Sequence, residues 1–278
     1  MKRIGFVILA WNSEKVIGPC LESVFSLKEY CAAVIVVDNG STDGTVRRIE
    51  SIQVPEKDSL TLMQLEKNMG TTMPRNMALK RLQTEDLDFV CILDSDTQIC
   101  ETAVDGLILA LEADDVRGIA GPRMVTSGGM VQESARRFPT LTDKLCKAMP
   151  LQFIQKWGER LERVEETPDA EGIYPVDYLM SACWMLRPDV IQRVGLLDEK
   201  IFYAPEDAEY CIRVWKAGYS VVFCPTVSII HEWQRLSKKK FFSRINWEHI
   251  KGLAYMFLKH RYLFDSKGIR FDRCGVQK

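Results

Sequence analysis

Four apolar runs, each followed by a segment with helical spacing, set the tightest limit on how this chain folds. They are "IGFVILA" (Ile4–Ala10), "AVIVVD" (Ala33–Asp38), "LTLMQL" (Leu60–Leu65) and "FVCIL" (Phe89–Leu93). A strand covered on both faces reads as a near-continuous apolar run, because neither face meets water. After the first run, Val16, Ile17, Cys20, Leu21 and Val24 recur at helical spacing, with Ser13 placed to cap. Shorter helical stretches are predicted near Val46–Ile52, Met73–Leu82 and Ala103–Leu111. Strands alternating with helices at this pitch predict βαβ units in a doubly wound α/β body with a mostly parallel sheet.

The period breaks after "IAGPRMV". Residues 125–175 hold Gly128-Gly129, Pro139, Pro150 and Pro168 around an amphipathic helix near Leu151–Val164, and read as an insertion over one end of the sheet. "YLMSACWML" (Tyr178–Leu186) returns as a strand, Pro188 opens a helix, and Glu206–Ala217 forms another that Gly218 ends. "VVFCPTVSIIH" leads to His231. The expected organisation is a domain over residues 1–232 and a basic, amphipathic helical tail over 233–278. In that tail Phe242, Ile245, Ile250, Leu253, Ala254, Phe257 and Leu258 recur near helical spacing among Lys238–Lys240, Arg244, Lys251, Lys259 and Arg261.

Charge separates the two parts. The net charge of −1 conceals 12 Lys/Arg against 3 Asp/Glu in residues 233–278, and 25 against 35 elsewhere. A basic tail on an acidic body points to an anionic contact such as a membrane surface. The alternative is a helix packed on the body with its basic side in water. No nucleic-acid module is recognisable, so a nucleic-acid partner is not expected. Nine cysteines without a C-x-x-C pair exclude a zinc ribbon, and their odd number argues against a full disulfide framework. A reducing, cytoplasmic setting follows, peripheral on the inner membrane if the tail docks there. The opening "MKRIGFVILAW" has too short an apolar run for a signal peptide, and no segment reaches the ~20 apolar residues of a membrane span.

In an open parallel sheet, ligands sit beyond the carboxyl ends of the strands. Those ends carry Trp11-Asn12, Asp38-Asn39-Gly40, Asn68-Met69-Gly70 and Asp94-Ser95-Asp96. Any one of these is equally a turn former; four on one rim favour a site. The Asp94–Asp96 pair is the sharpest. At roughly 5 Å and an effective dielectric near 20, their repulsion costs about 3 kcal/mol, which screening water tolerates and a divalent cation removes. In "DNGSTDGT", Gly40 and Thr42 occupy positions where a calcium loop needs oxygen-rich side chains, and no G-x-G-x-x-G follows the first strand. Glu206 and Asp207 open a predicted helix, where acids also serve the helix dipole. His231 ends a strand and is either structural or a ligand.

Together these residues resemble the family 2 glycosyltransferases, which have the GT-A fold, over roughly residues 3–232. The parts are "VILAWNSEKVIGPCLESV", "VIVVDNGSTDGT", "NMGTTMPRNMAL", "CILDSDTQI" and "GLLDEKIFYAPEDAEYCIRVWKAGY". The tail is similar to that of bacterial rhamnosyltransferases that build surface polysaccharide. The resemblance implies that Asp38 reads a pyrimidine base, with Trp11 and Asn12 beside it. It sets Asn68, Gly70, Arg75 and Ser95 near the nucleotide. Asp94 contacts ribose or metal, Asp96 binds the metal, His231 adds a ligand, and Asp207 is the general base. Two positions depart from the pattern: Ala10 replaces a frequent hydroxyl residue, and Ser181 a frequent glycine before the acceptor region.

The expected reaction is an inverting displacement. A nucleoside diphosphate leaves, Mn²⁺ or Mg²⁺ offsets its charge, and Asp207 takes the acceptor's proton, with Glu206 orienting or as second candidate. The implied donor is a pyrimidine sugar nucleotide, dTDP-rhamnose foremost, and the acceptor a glycan or polyprenyl-diphosphate-linked glycan. Two rivals stay open: a sugar-phosphate nucleotidyltransferase, against which "LAWNSEK" lacks a Gly-rich loop, and a non-catalytic sugar-nucleotide or glycan-binding protein.

Overall fold

The structure, a computed structural model, describes residues 2–27, 29–30, 33–55, 59–164, 168–169, 172–232, 244–266 and 268–269. Its first part runs β1 (Ile4–Ala10), α1 (Ile17–Phe25), β2 (Ala33–Asp38), α2 (Thr45–Glu50), β3 (Leu60–Gln64), α3 (Thr72–Leu82) and β4 (Phe89–Asp94). β1 pairs in parallel with β2 on one edge and β4 on the other, and β2 with β3. The chain therefore winds outward from β1 to β3 and then crosses back. Its direction reverses between β1 and β4, which opens a crevice at their carboxyl ends.

The remainder comprises β5 (Thr97–Gln98), α4 (Glu101–Glu112), β6 (Arg117–Val125), β7 (Val131–Gln132), β8 (Ala135–Arg136), α5 (Leu141–Ala148) and α6 (Gln152–Leu161). Then follow β9 (Tyr174–Pro175), β10 (Tyr178–Leu179), β11 (Cys183–Leu186), α7 (Pro188–Val194), α8 (Glu206–Lys216), β12 (Ser220–His231) and α9 (Arg244–His260). The main sheet is ordered β3-β2-β1-β4-β11-β6-β12-β5, with β11 antiparallel to both neighbours. The sheet divides two apolar cores. Phe6, Ile8, Val36 and Leu93 pack with Leu21, Val24, Leu107 and Leu111, from α1 and α4. Val7, Ile35, Ile92 and Trp184 pack on the other face with Leu82, Ile212 and Val214, from α3 and α8. Successive strand residues alternate between these cores, which is why the sequence shows unbroken apolar runs.

Three expectations change, and one helix is new. The strand predicted over Tyr178–Leu186 is two, β10 and β11, broken by a turn at Ser181-Ala182 whose polar groups serve the rim. Ser13 supports α1 through its carbonyl, which accepts from Val16 and Ile17; its hydroxyl faces Ser95 instead. α5 was not expected, although Thr140 and Asp143 form a capping box at its start. The apolar face predicted in the tail splits around α9: Phe257 is buried, whereas Ile250, Ala254 and Leu258 face outward. Met256 and Phe257 join the second core, and Lys259 pairs with Asp198 (2.5 Å) and Glu209 (2.7 Å). Phe242 and Lys238–Lys240 lie outside the described residues.

Buried Glu162, just after α6, fastens the inserted helices. It meets Lys144 at 2.6 Å, Arg136 at 3.2 Å, and Lys147. Burial alone would raise its carboxyl, but Lys144 and Lys147 hold it down at about 2, against an ordinary 4.5. A carboxyl depressed on folding gives stability that is complete above its unfolded pKa and fades as pH falls through the folded one. Glu162→Gln is expected to cost about 3 kcal/mol at neutral pH, since three cations lose their counter-charge. In urea unfolding the variant should lose less stability than the parent as pH drops from 4.5 toward 2. Equal acid sensitivity in both proteins would refute this account.

Candidate active site

The turn after β4 is fixed from three sides. Thr97 Oγ1 donates to the Asp94 carbonyl at 2.8 Å, the Ser13 and Ser95 hydroxyls meet at 2.7 Å, and the Glu232 amide donates to the Asp96 carbonyl at 2.8 Å. β5 also pairs with the end of β12, setting His231 opposite Thr97. His231 Nε2 then lies 3.4 Å from Asp96 Oδ1, and one ligand atom from each of Asp94, Asp96 and His231 falls within 4.8 Å of the others. These three are the residues expected to share a metal.

Gln132, which sequence reasoning missed, orients the imidazole. Its Nε2 donates to the His231 carbonyl at 2.9 Å, so its Oε1 is the acceptor facing His231 Nδ1 at 2.7 Å. A proton on Nδ1 leaves the Nε2 lone pair aimed at Asp96, the arrangement metal-binding histidines use. Burial works to lower the His231 pKa, but Asp96 and Asp94 raise it. Two carboxylates and an oriented imidazole suit Mn²⁺ and tolerate Mg²⁺, so the residues present fit a divalent cation.

Arg75, expected near the nucleotide, is buried between the two acidic clusters. Its Nη2 donates to Asp94 Oδ1 at 2.6 Å, and its Nη1 to Ser181 Oγ at 2.9 Å and Glu206 Oε1 at 3.1 Å. Burial pushes Asp94 up and Arg75 pulls it back. The Glu206 carboxyl is pushed up to about 8 by burial and then by Asp207, with Arg75 opposing. Asp207 has the Ala208 amide as its hydrogen-bond partner at 2.7 Å, and burial raises its pKa. Asp94, Arg75, Glu206 and Asp207 line one cleft of about 370 Å³ with Arg136, Lys144 and His249. Arg136 and Lys144 come from the inserted segment and were not foreseen.

The ends of β1 and β2 form the other flank. Asp38 is buried; its Oδ2 accepts from the Ser41 amide at 3.1 Å, and its Oδ1 has no hydrogen-bond partner. Trp11 is partly exposed at the rim. Asn12, at φ +50°, accepts the Thr42 amide at 2.9 Å, and Asn68 accepts the Gly70 amide at 2.9 Å. Both asparagines therefore shape loops. Gly70, at φ +84°, lies where a Cβ would stand 1.9 Å from the Phe202 carbonyl oxygen. That close approach lets Thr71 N and Oγ1 bind the Phe202 and Tyr203 carbonyls, at 2.8 and 2.9 Å, and secures the loop leading to Glu206.

Comparison with known proteins identifies the family and the fold. The family model described as Glycosyl transferase family 2 matches residues 6–195, more than half the chain. The chain is 28% identical over 261 residues to the N-acetylglucosaminyl-diphospho-decaprenol L-rhamnosyltransferase of Mycobacterium tuberculosis, covering 88% of this chain and 81% of that protein. It is 23% identical to the dTDP-rhamnosyl transferase RfbF of Shigella flexneri, over 75% of this chain and 62% of that one. In fold it is similar to the crystal structure of GalNAc-T7 with UDP, GalNAc and Mn²⁺, with a TM-score of 0.63 and 16% identity. That match covers 95% of this chain but 55% of the other. The chain belongs to glycosyl transferase family 2 and is a glycosyltransferase with the GT-A fold.

Proposed function

We propose that the protein is an inverting, cation-dependent enzyme that moves rhamnose from dTDP-rhamnose to a hydroxyl of a lipid-linked glycan. The observation that carries this reading is the single cleft holding Asp94, beside Asp96 and His231, together with Asp207. Supporting it are the similarity to two rhamnosyltransferases, one named for a dTDP-sugar and the other for a diphospho-decaprenol acceptor. The buried, unpartnered Asp38 Oδ1 suits the N–H of a pyrimidine base, since an unmet buried acceptor costs about 1–3 kcal/mol. Trp11 would flank that base.

Asp94, Asp96 and His231 would hold Mn²⁺ or Mg²⁺, whose charge offsets that of the departing diphosphate. Asp207 accepts the proton of the acceptor hydroxyl as that oxygen bonds to the anomeric carbon and the nucleoside diphosphate leaves from the opposite face. Glu206, held by Arg75 and Ser181, orients Asp207 and keeps the cleft's charge in balance. The raised pKa of Asp207 makes it a stronger base than a solvated aspartate. The basic segment 233–278 is read as meeting anionic lipid beside the acceptor. No helix among the described residues is long and apolar enough to cross a membrane.

Asp207→Asn should keep donor affinity and lower kcat by about 10²–10⁴-fold. Isothermal titration with sugar nucleotide and single-turnover transfer assays separate the two effects; transfer at the parental rate would remove Asp207 from its role. Transfer in the parent should also decline with acidity above the ordinary aspartate value of 3.8, because the protonated base cannot accept a proton. A pH profile of kcat/KM whose acidic limb lies at or below that value contradicts the assignment.

Asp96→Asn should abolish the Mn²⁺-dependent part of nucleotide binding and leave the weak metal-free part. A panel of UDP-, dTDP- and GDP-sugars with Mn²⁺ tests the donor, with dTDP-rhamnose expected to bind tightest. Release of nucleoside diphosphate marks a glycosyltransferase and pyrophosphate a nucleotidyltransferase. Binding without turnover in the presence of acceptor marks a silent protein.

A further inference from the structure

α5 is folded with its polar side inward, and α6 packs on it at Gly158. Their buried residues are Asp143 and Gly158, and the buried Glu162 follows directly. Leu145, Met149, Leu151, Phe153 and Trp157 instead face outward, Phe153 at 71% and Trp157 at 52% exposure. Phe153, Ile154, Trp157 and Leu161 share one arc of α6, and Lys156 and Arg160 lie on the arc beside it. A helix on a soluble body ordinarily turns such an arc toward the core.

α9 adds a second outward stripe. Trp247, Ile250, Ala254 and Leu258 recur at steps of three and four, away from the buried Gly252 and Met256. Trp247, Ile250 and Leu258 are 59%, 56% and 79% exposed. The helices adjoin: the Leu141 amide donates to the Leu263 carbonyl at 2.7 Å, and His249 of α9 lines the cleft with Lys144 of α5.

We propose that α5, α6 and α9 form a docking surface for an anionic lipid bilayer. Charge selects this occupant. Residues 141–164 and 244–264 contain 9 Lys/Arg against 4 Asp/Glu; Lys144, Lys147 and Lys259 pair inward and Asp143 and Glu162 are buried, which leaves 6 Lys/Arg against Glu159 and Glu248. Lys156, Arg160, Arg163, Lys251 and Arg261 are exposed, so a second copy of the chain on this surface would set like charges face to face. Tryptophan beside lysine and arginine is the composition of an interfacial helix: the ring enters the headgroup boundary and the cations meet lipid phosphate. Lys251 already lies over the Trp247 ring, 5.8 Å from its centre. The surface rests on exposure and charge alone; that it brings the cleft to a lipid-borne acceptor rests on the transferase reading above.

Flotation of the full chain with vesicles of phosphatidylglycerol and phosphatidylcholine in equal parts tests the surface without donor or acceptor, so turnover does not enter. The parent should float, with a blue shift of tryptophan emission, and bind less in high salt. The double substitution Phe153→Ser/Trp157→Ser should weaken binding by about 100-fold, roughly tenfold for each ring withdrawn, with an unchanged unfolding midpoint. Trp247→Ser, on a separate helix, should weaken it about tenfold. Leu109→Ser, at an equally exposed leucine on α4, should bind as the parent does. The proposal fails if the parent does not float, if the double variant floats as well as the parent, or if the parent is a dimer in vesicle-free buffer that the double variant dissociates.

Discussion

One buried guanidinium holds the active region together. Arg75 leaves α3 and meets the end of β4 at Asp94, the β10–β11 turn at Ser181 and the start of α8 at Glu206. Three parts of the chain far apart in sequence are brought into register by one planar fork. A lysine could not span them, because its single ammonium lacks two separately directed nitrogens. Such a pairing is poor support for stability, since desolvation offsets most of the Coulomb gain, but breaking it strands buried charge. Its value here is geometric. Arg75 fixes where Asp94 and Glu206 stand, and Asp207 is left facing the cleft.

The position of that region follows from the sheet. Strands covered on both faces can place polar groups only where they end. The reversal of winding between β1 and β4 parts the loops after those strands, so Trp11, Asp94 and Asp96 emerge around an opening instead of packing together. β12 completes the rim by crossing to the far edge and delivering His231 to β5.

Much of this was legible in the sequence. The runs ending at Ala10, Asp38 and Leu93 marked the strands, and the polar residues at their ends, Trp11-Asn12, Asp38 and Asp94-Ser95-Asp96, marked the rim. Asp94, Asp96 and His231 could be grouped because an ordered family pattern supplied the pairing that distance along the chain conceals. What could not be read depended on tertiary partners. The family pattern set Arg75 near the nucleotide, but its fork between Asp94, Ser181 and Glu206 shows only once those residues converge on it. Gln132 sits in a two-residue strand with no period to mark it. The run Tyr178–Leu186 is apolar enough for one strand, and nothing local announces that Ser181 must turn aside to reach Arg75. For α6, spacing revealed a two-faced helix but could not say which face lies inward.

Electrostatics supplies the reason for that orientation. Asp94, Glu206 and Asp207 share the cleft with one buried arginine, and Glu206 remains raised to about 8. Arg136 and Lys144, brought by the inserted segment, are the further cations lining it, and both reduce the penalty on Asp207. Lys144 can stand there only if the charged side of α5 faces the body, where Glu162 gathers it with Lys147 and with Arg136 of β8. Once that side is committed inward, Leu145 of α5 faces outward, and α6, set against α5 at Gly158, leaves Phe153 and Trp157 exposed beside it. The same constraint that tempers the acids of the cleft thus exposes the apolar arc beside it, and neither can be reversed without the other.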